Sequence, residues 1–362
     1  MLLNEIFSKV TYSVKAQCQD LCCKDSNLDV GKNCFPGIKH TTVFIDNFPF
    51  CKRIDWYCVV DRQAGQLLFV DTGHPALTGG RILEYARQKA DMRWDQVQVF
   101  ITHFHLDHAG NLPFCLFKGA RRAYFQFPVP FQREFPKEIF QWMDIPQSVR
   151  DDRESSVYIE TLLAKNWSKG IPVERCFEVG VGDAIDIAGY HLTCLPTPGH
   201  SPKHTCLVDK NRGVMFAGDH LIYAHPGVGQ LLPNQHLLFR YCESLPLLRS
   251  FKLKAVLMSH HGPLFGRDEV DGFLRKTEEG YKDLLESMDY FVGQHNRVGI
   301  YQMAQELALK KNPQGLTAMG GQAQMRRVAL MFGTLEGLYD FGRVERRQDD
   351  NGAFVYFKKR AR

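Results

Sequence analysis

One run of nine residues, Thr102-His103-Phe104-His105-Leu106-Asp107-His108-Ala109-Gly110, constrains this chain more than any other stretch of it. It sets three imidazoles and a carboxylate within six positions, directly after the apolar stretch Val97-Gln98-Val99-Phe100-Ile101. Side chains alternate across an extended backbone, so His103 and His105 lie on one side of it. Asp107 and His108 follow where the chain turns, and reach a second position beside the first. A lone loop histidine is ordinarily solvated. Four ligand-type groups at the mouth of a buried strand point instead to a metal centre.

Three later segments share the design of a hydrophobic strand ending in a polar ligand, with chemistry carried on loops above a rigid scaffold. The strand His191-Leu192-Thr193-Cys194-Leu195 leads into Thr197-Pro198-Gly199-His200-Ser201-Pro202. Val214-Met215-Phe216-Ala217 ends in Gly218-Asp219, and Ala255-Val256-Leu257-Met258 ends in Ser259-His260-His261-Gly262. With the first cluster these supply ligands enough for two metal ions.

This set resembles the metallo-β-lactamase superfamily, whose mark is His-x-His-x-Asp-His followed by a separate His, an Asp and a final His. The resemblance spans residues 40 to 265. It implies one metal on His103, His105 and His200, a second on Asp107, His108 and His261, and Asp219 bridging the two. His261 is preferred to its neighbour His260 because the family's last ligand precedes glycine, as His261 precedes Gly262. Val70-Asp71-Thr72-Gly73 looks like the family's early Asp-Thr-Gly turn, whose Asp orients the ligand loops from behind.

At 362 residues the chain suits one large domain and a smaller one. The expected division is an N-terminal extension over 1–40, a catalytic domain over 41–267 and a C-terminal domain over 268–362. A hydrophobic content of 44% fills a sizeable core. No run approaches the ~20 apolar residues of a membrane helix. The opening Met1–Phe7 lacks a signal-peptide pattern, so a cytoplasmic location is expected. Cys18, Cys22, Cys23, Cys34 and Cys51 fit no strong zinc spacing and are expected to be free thiols. The balance of 45 basic to 40 acidic residues implies no polyanion partner by itself.

Strands are expected at 54–60, 66–71, 175–179, 185–188, 191–195, 205–209 and 213–216, with helices at 76–91 and 236–250. Strands with a helix on each side and ligands at strand ends give an α/β protein, a four-layer αββα sandwich. The aromatic- and proline-rich stretch 127–170 reads as an insertion, either a lid or ordinary covering helices. Past Pro263, helical patterns occupy 268–294, 299–311 and 320–341, the last ended by Gly342. Asp349-Asp350-Asn351-Gly352 turns a hairpin between 344–347 and 354–357. Three helices and a hairpin spell a winged-helix-like domain, similar to one carried by a branch of the superfamily. Its basic end, Arg343, Arg346, Arg347, Lys358, Lys359, Arg360 and Arg362, is a solvated surface or a nucleic-acid surface.

Two divalent ions ~3.5–4 Å apart hold a bridging hydroxide that attacks an electrophilic centre. Asp219 keeps the ions together and Asp107 accepts a proton, which makes these two the catalytic carboxylates. Imidazole and carboxylate ligands suit zinc first, and also iron or manganese. The expected activity is hydrolysis of a small-molecule ester, thioester or lactone. A phosphodiesterase or ribonuclease guided by the C-terminal domain is the alternative, and a mononuclear iron enzyme of the persulfide-oxidising type the third reading. A dimer is compatible with these readings. Tyr223, His225 and His204 stay outside the ligand set, Tyr223 as a packed aromatic and His204 as a surface residue.

Overall fold

The computed structural model describes residues 14–20, 35–45, 53–75, 80–127, 138–152, 171–222 and 236–359. Tyr223, His225, Cys22, Cys23, Cys34, Cys51 and most of the 127–170 insertion lie outside them. A first sheet has seven strands in chain order: β1 (Val14–Asp20), β2 (Ile38–Ile45), β3 (Arg53–Asp61), β4 (Gln66–Val70), β5 (Val97–Phe100), β6 (Arg122–Phe125) and β7 (Cys176–Glu178). Pairing is antiparallel up to β4 and parallel beyond it. The four-residue turn Arg62–Gly65 suffices for the β3–β4 hairpin, with Gly65 at φ 62°. Parallel neighbours need a crossover. Helix α1 (Arg81–Ala90) supplies one between β4 and β5. The short helices α2 (Leu106–Ala109) and α3 (Leu112–Phe117) carry the chain from β5 to β6, and α4 (Glu138–Trp142) and α5 (Gln147–Arg150) follow before β7.

The second sheet contains β8 (Ala184–Ile187), β9 (Tyr190–Pro196), β10 (Thr205–Asp209), β11 (Val214–Gly218), β12 (Ala255–Met258) and β13 (Gly262–Phe265), in the order β13-β12-β11-β10-β9-β8. Its one parallel pair, β11 with β12, is bridged by helix α6 (Leu237–Ser250). The β8–β9 hairpin turns on Ala188 and Gly189, both at positive φ, which matches the right-handed twist of the strands it joins.

Strand alternation separates the layers. Along β3, Tyr57 and Val59 face the second sheet, while Ile54, Trp56, Cys58 and Val60 face the outer helices. Along β12, Ala255 and Leu257 face inward, Val256 and Met258 outward. Leu83 of α1 and Leu112, Cys115 and Leu116 of α3 cover the outside of the first sheet. Leu238, Tyr241, Leu245 and Leu248 of α6 cover the second. Each fully buried Leu, Ile, Val or Phe contributes about 1.5–3 kcal/mol. The result is the four-layer αββα sandwich. Among the described residues, no helix is long and apolar enough to cross a membrane.

After Gly266 come α7 (Arg267–Gly293), the short β14 (Val298–Gly299), α8 (Ile300–Leu309), α9 (Gly321–Asp340) and the hairpin β15 (Val344–Gln348) and β16 (Phe354–Lys358). The hairpin joins β14 in a three-stranded antiparallel sheet, order β14-β16-β15. The three helices expected past Pro263 lie within two residues of those observed. The apolar core does not divide at residue 268: outer residues of β11 and β12, the inner face of α6, and α7, α8 and α9 form one cluster. Trp142 of α4 stacks on Phe354 of β16 at 5.4 Å, and Tyr301 N donates to Met143 O, so this unit also grips the edge of the insertion.

Glu336 is fully buried in α9, where its carboxylate accepts from Tyr356 Oη at 2.8 Å and pairs with Arg346. Removing one partner of a buried ion pair costs about 3–5 kcal/mol. Glu336→Ala is therefore expected to lower stability by about 3 kcal/mol, read from the urea midpoint at unchanged slope. A loss below about 1 kcal/mol would show that this pair does not hold hairpin to helix.

Candidate metal centre

The two sheets meet along a shared edge where β4, β5, β11 and β12 all end. Beyond β5 the chain bends at Thr102, reaches an extended His105 and then turns into α2. This brings His103 Nε2 to 3.0 Å from His105 Nδ1. His200 Nε2 lies 2.9 Å from the same His105 nitrogen. His200 rides on the turn after β9, which Thr197 N closes by donating to His204 O at 2.8 Å. Gly199 in that turn packs against Tyr241, 2.7 Å from where a Cβ would stand, so no larger residue fits.

Asp219 follows a register irregularity between Phe216 and Gly218 that re-aims the end of β11. Its Oδ2 lies 3.5 Å from His200 Nε2, 3.3 Å from His108 Nε2 and 3.3 Å from His260 Nε2. Asp107 Oδ2 lies 3.3 Å from His260 Nε2 and 3.8 Å from His108 Nε2. Two donor groups result: His103, His105, His200 and Asp219, and beside them Asp107, His108 and His260.

His261 is not in either group; its neighbour His260 stands beside Asp107 and His108 instead. Met258 pairs with Gly262 across the β12–β13 hairpin, leaving Ser259, His260 and His261 as the loop. His260 Nδ1 donates to Arg53 O at 2.8 Å, which aims Nε2 at the two carboxylates. His261 is exposed. The other six expected residues, His103, His105, Asp107, His108, His200 and Asp219, all converge.

Asp71 stands behind them, buried and left-handed at φ 63°. Its Oδ1 accepts from Thr102 N at 2.8 Å and its Oδ2 from His108 Nδ1 at 2.8 Å. The His108 hydrogen bond leaves Nε2 facing the site. Gly73, two residues on, is tight against Trp56, which occupies the space of any Cβ there. His74, His204 and His220 are buried and lie outside the expected ligand set. His204 is wholly buried rather than superficial, and its Nε2 accepts from Asp219 N at 3.2 Å. His220 joins Ser244 Oγ at 2.7 Å. His74 follows the Asp-Thr-Gly turn and is 1% exposed.

Burial, reinforced by the neighbouring imidazoles of His108 and His105, holds His103 well below the ordinary histidine value. Burial and His200 bring His105 down to about 3. Burial works against ionisation of Asp107 and Asp219, but His108 and His260 outweigh it and keep both carboxyls below their usual range. Burial likewise opposes a proton on His108, yet Asp219, Asp71 and Asp107 outweigh it and raise its pKa well above the ordinary value. Burial lowers His74 to about 4, with Asp107 pulling the other way. Neutral imidazoles and ionised carboxylates are the metal-binding forms. Zinc–nitrogen bonds of ~2.0–2.1 Å set tetrahedral donors roughly 3.3 Å apart, and the contacts here lie near that spacing. The donor set therefore fits divalent ions.

An αββα sandwich with a His/Asp cluster at the shared sheet edge defines a protein of the metallo-hydrolase class. The family model described as the metallo-beta-lactamase superfamily matches residues 54–119. A metallo-beta-lactamase family protein from Thermus thermophilus superposes with a TM-score of 0.63 at 23% identity, over 90% of this chain and 99% of that one. The chain shares the fold of that protein and carries the superfamily's sequence pattern over residues 54–119. It is 26% identical over 196 residues to the probable metallo-hydrolase YqgX of Bacillus subtilis, 52% of this chain and 78% of that protein. It is 28% identical over 141 residues to the endoribonuclease YSH1 of Mycosarcoma maydis, 37% of this chain and 15% of that much longer protein.

A raised His108 pKa means that a proton on Nε2 competes with a metal ion. Zinc uptake should then strengthen as pH rises toward that pKa and release about one proton per chain in the neutral range. Calorimetric titration in two buffers of different ionisation enthalpy measures this, and zero release would show His108 already neutral. For the metal-free chain the signs oppose. His108 contributes stability that is present below the ordinary histidine value and lost as pH rises through its raised one. Asp107 and Asp219 contribute stability that is present above the ordinary carboxylate value and lost as pH falls.

Proposed function

We propose that the chain is a dinuclear metal-dependent hydrolase that cleaves an ester, thioester or lactone of a small molecule. The observation that carries the dinuclear reading is Asp219 Oδ2, within 3.5 Å of histidine nitrogens from both donor groups. His103, His105 and His200 would hold one ion and Asp107, His108 and His260 the other, with Asp219 shared. When bound, such ions supply an acidified water and a Lewis acid for the scissile oxygen. Zinc is the first expectation for this donor set, with iron or manganese compatible.

The chain's own residues set the conditions. Asp71 and the Arg53 carbonyl fix the tautomers of His108 and His260. Asp107 is held ionised at the site by His108 and His260, and would serve there as a ligand and proton acceptor. The C-terminal element order, helix–strand–helix–helix–hairpin, supports the winged-helix-like reading. In a nucleic-acid-reading domain of that kind one helix must be free to enter a groove. Residues 331–338 of α9 are buried without interruption, and Gly337 lies against Leu238 of α6. That supports packing as the domain's role, and a small-molecule substrate. Similarity to an endoribonuclease supports the second reading, a phosphodiesterase or ribonuclease.

A side-by-side rate assay of the metal-loaded protein decides between them, offering an aryl ester, a thioester, a lactone, an aryl phosphodiester and single-stranded RNA. Turnover confined to the carboxyl substrates supports the first reading, and turnover of the phosphodiester or RNA the second. Asp219→Ala is expected to abolish either activity in a folded chain. His260→Ala should lower kcat/KM by about 100-fold or more, whereas His261→Ala should stay within about tenfold of wild type. The reverse order would restore His261 as the ligand.

A further inference from the structure

His260 and His261 are adjacent within the tight β12–β13 turn. What selects between them lies on the other sheet. Asp55 of β3 has a fully buried carboxylate. Its Oδ1 accepts from His40 Nε2 at 2.7 Å, Thr42 Oγ1 at 2.7 Å and an Arg53 terminal nitrogen at 2.8 Å. Its Oδ2 accepts from Arg53 Nε at 2.7 Å and from Gly262 N at 2.8 Å. Asp55 N donates to Ser259 O at 2.6 Å, and Tyr57 Oη to Met258 O at 2.9 Å. With His260 Nδ1 on Arg53 O, β3 holds Met258, Ser259, His260 and Gly262 by one hydrogen bond each. Gly262 sits at φ 75° with the Arg53 guanidinium 2.4 Å from where its Cβ would stand, so the pair shapes the turn as well as binding it.

A buried carboxylate costs several kcal/mol unless fully paired, and replacing such a cluster by apolar residues is often neutral or stabilising. Stability alone gives this one little reason to exist. Register does: shifting a strand by one residue exchanges its two faces, and here it would exchange the two histidines.

We propose that Asp55 is the positioning residue of the second metal position. Braced by Arg53, it clamps the β12–β13 turn in the register that presents His260, not His261, to Asp107 and Asp219. This inference rests on the dinuclear reading above. Its test is the affinity of the full-length chain for each of two cobalt(II) ions, followed by titration and by the visible ligand-field bands. Asp55→Asn keeps the shape but faces donors on both sides with one acceptor. It should leave the first ion unchanged and weaken the second by about 10- to 100-fold. Arg53→Lys keeps the charge but loses the two-pronged contact. It should weaken the second ion in the same sense, and it decides the matter if thermal melting shows Asp55→Asn unfolded. A second-ion affinity equal to wild type in either folded variant would overturn the proposal. Residual second-ion binding in Asp55→Asn that disappears on adding His261→Ala would mark the slipped register and support it. If the wild-type chain takes up one ion only, or His260→Ala leaves the second ion intact, the dinuclear reading fails and this inference falls with it.

Discussion

A single carboxylate oxygen, Asp219 Oδ2, faces histidines delivered by three different loops. Seven charged or chargeable side chains within a few ångströms, three buried and four partly buried, would be costly if each stood alone. They are tolerated because each is fixed from behind: His108 by Asp71, His260 by the Arg53 carbonyl, Asp219 through its amide by His204. The local pattern of neutral His103 and His105 beside ionised carboxylates, with a proton favoured on His108, follows from the same arrangement.

The scaffold explains why these groups can meet. β4 and β5 run parallel in the first sheet, and β11 and β12 run parallel in the second. Parallel neighbours end at the same edge, so their loops project together. Two such edges, brought face to face by the inter-sheet core of Tyr57, Val70, Phe100, Phe216 and Leu257, form one mouth. The interior of the sandwich is packing; the chemistry is a property of its rim.

Much of this could be read from the sequence. The cluster from His103 to His108 announces itself because its ligands are close in the chain, and the strands before His200 and Asp219 show as apolar runs. What escaped reading depends on distant contacts. His260 is aimed at the carboxylates by β3, more than two hundred residues away, and no local pattern carries that information. β13 was missed because it opens with Gly262-Pro263, a dipeptide that reads as a turn. Proline is accommodated there because β13 is an edge strand. β6 is four residues long, and β2 contains His40 and Thr42 for a buried polar cluster rather than for a strand pattern. His204 and His220 look like isolated surface histidines until the fold buries them.

The glycine against which Tyr241 packs gives the far end of the chain a place in the metal site. Tyr241 lies on Gly199, next to His200, and its other side meets the ring of Tyr281 on α7 at 4.7 Å. α7 in turn belongs to the same core as α9 and the hairpin that holds Trp142. From the C-terminal helices to a metal-facing imidazole is thus a distance of two aromatic rings. The tail is the floor joist under the His200 turn rather than an appendage, and whatever loosens it is felt where catalysis would occur.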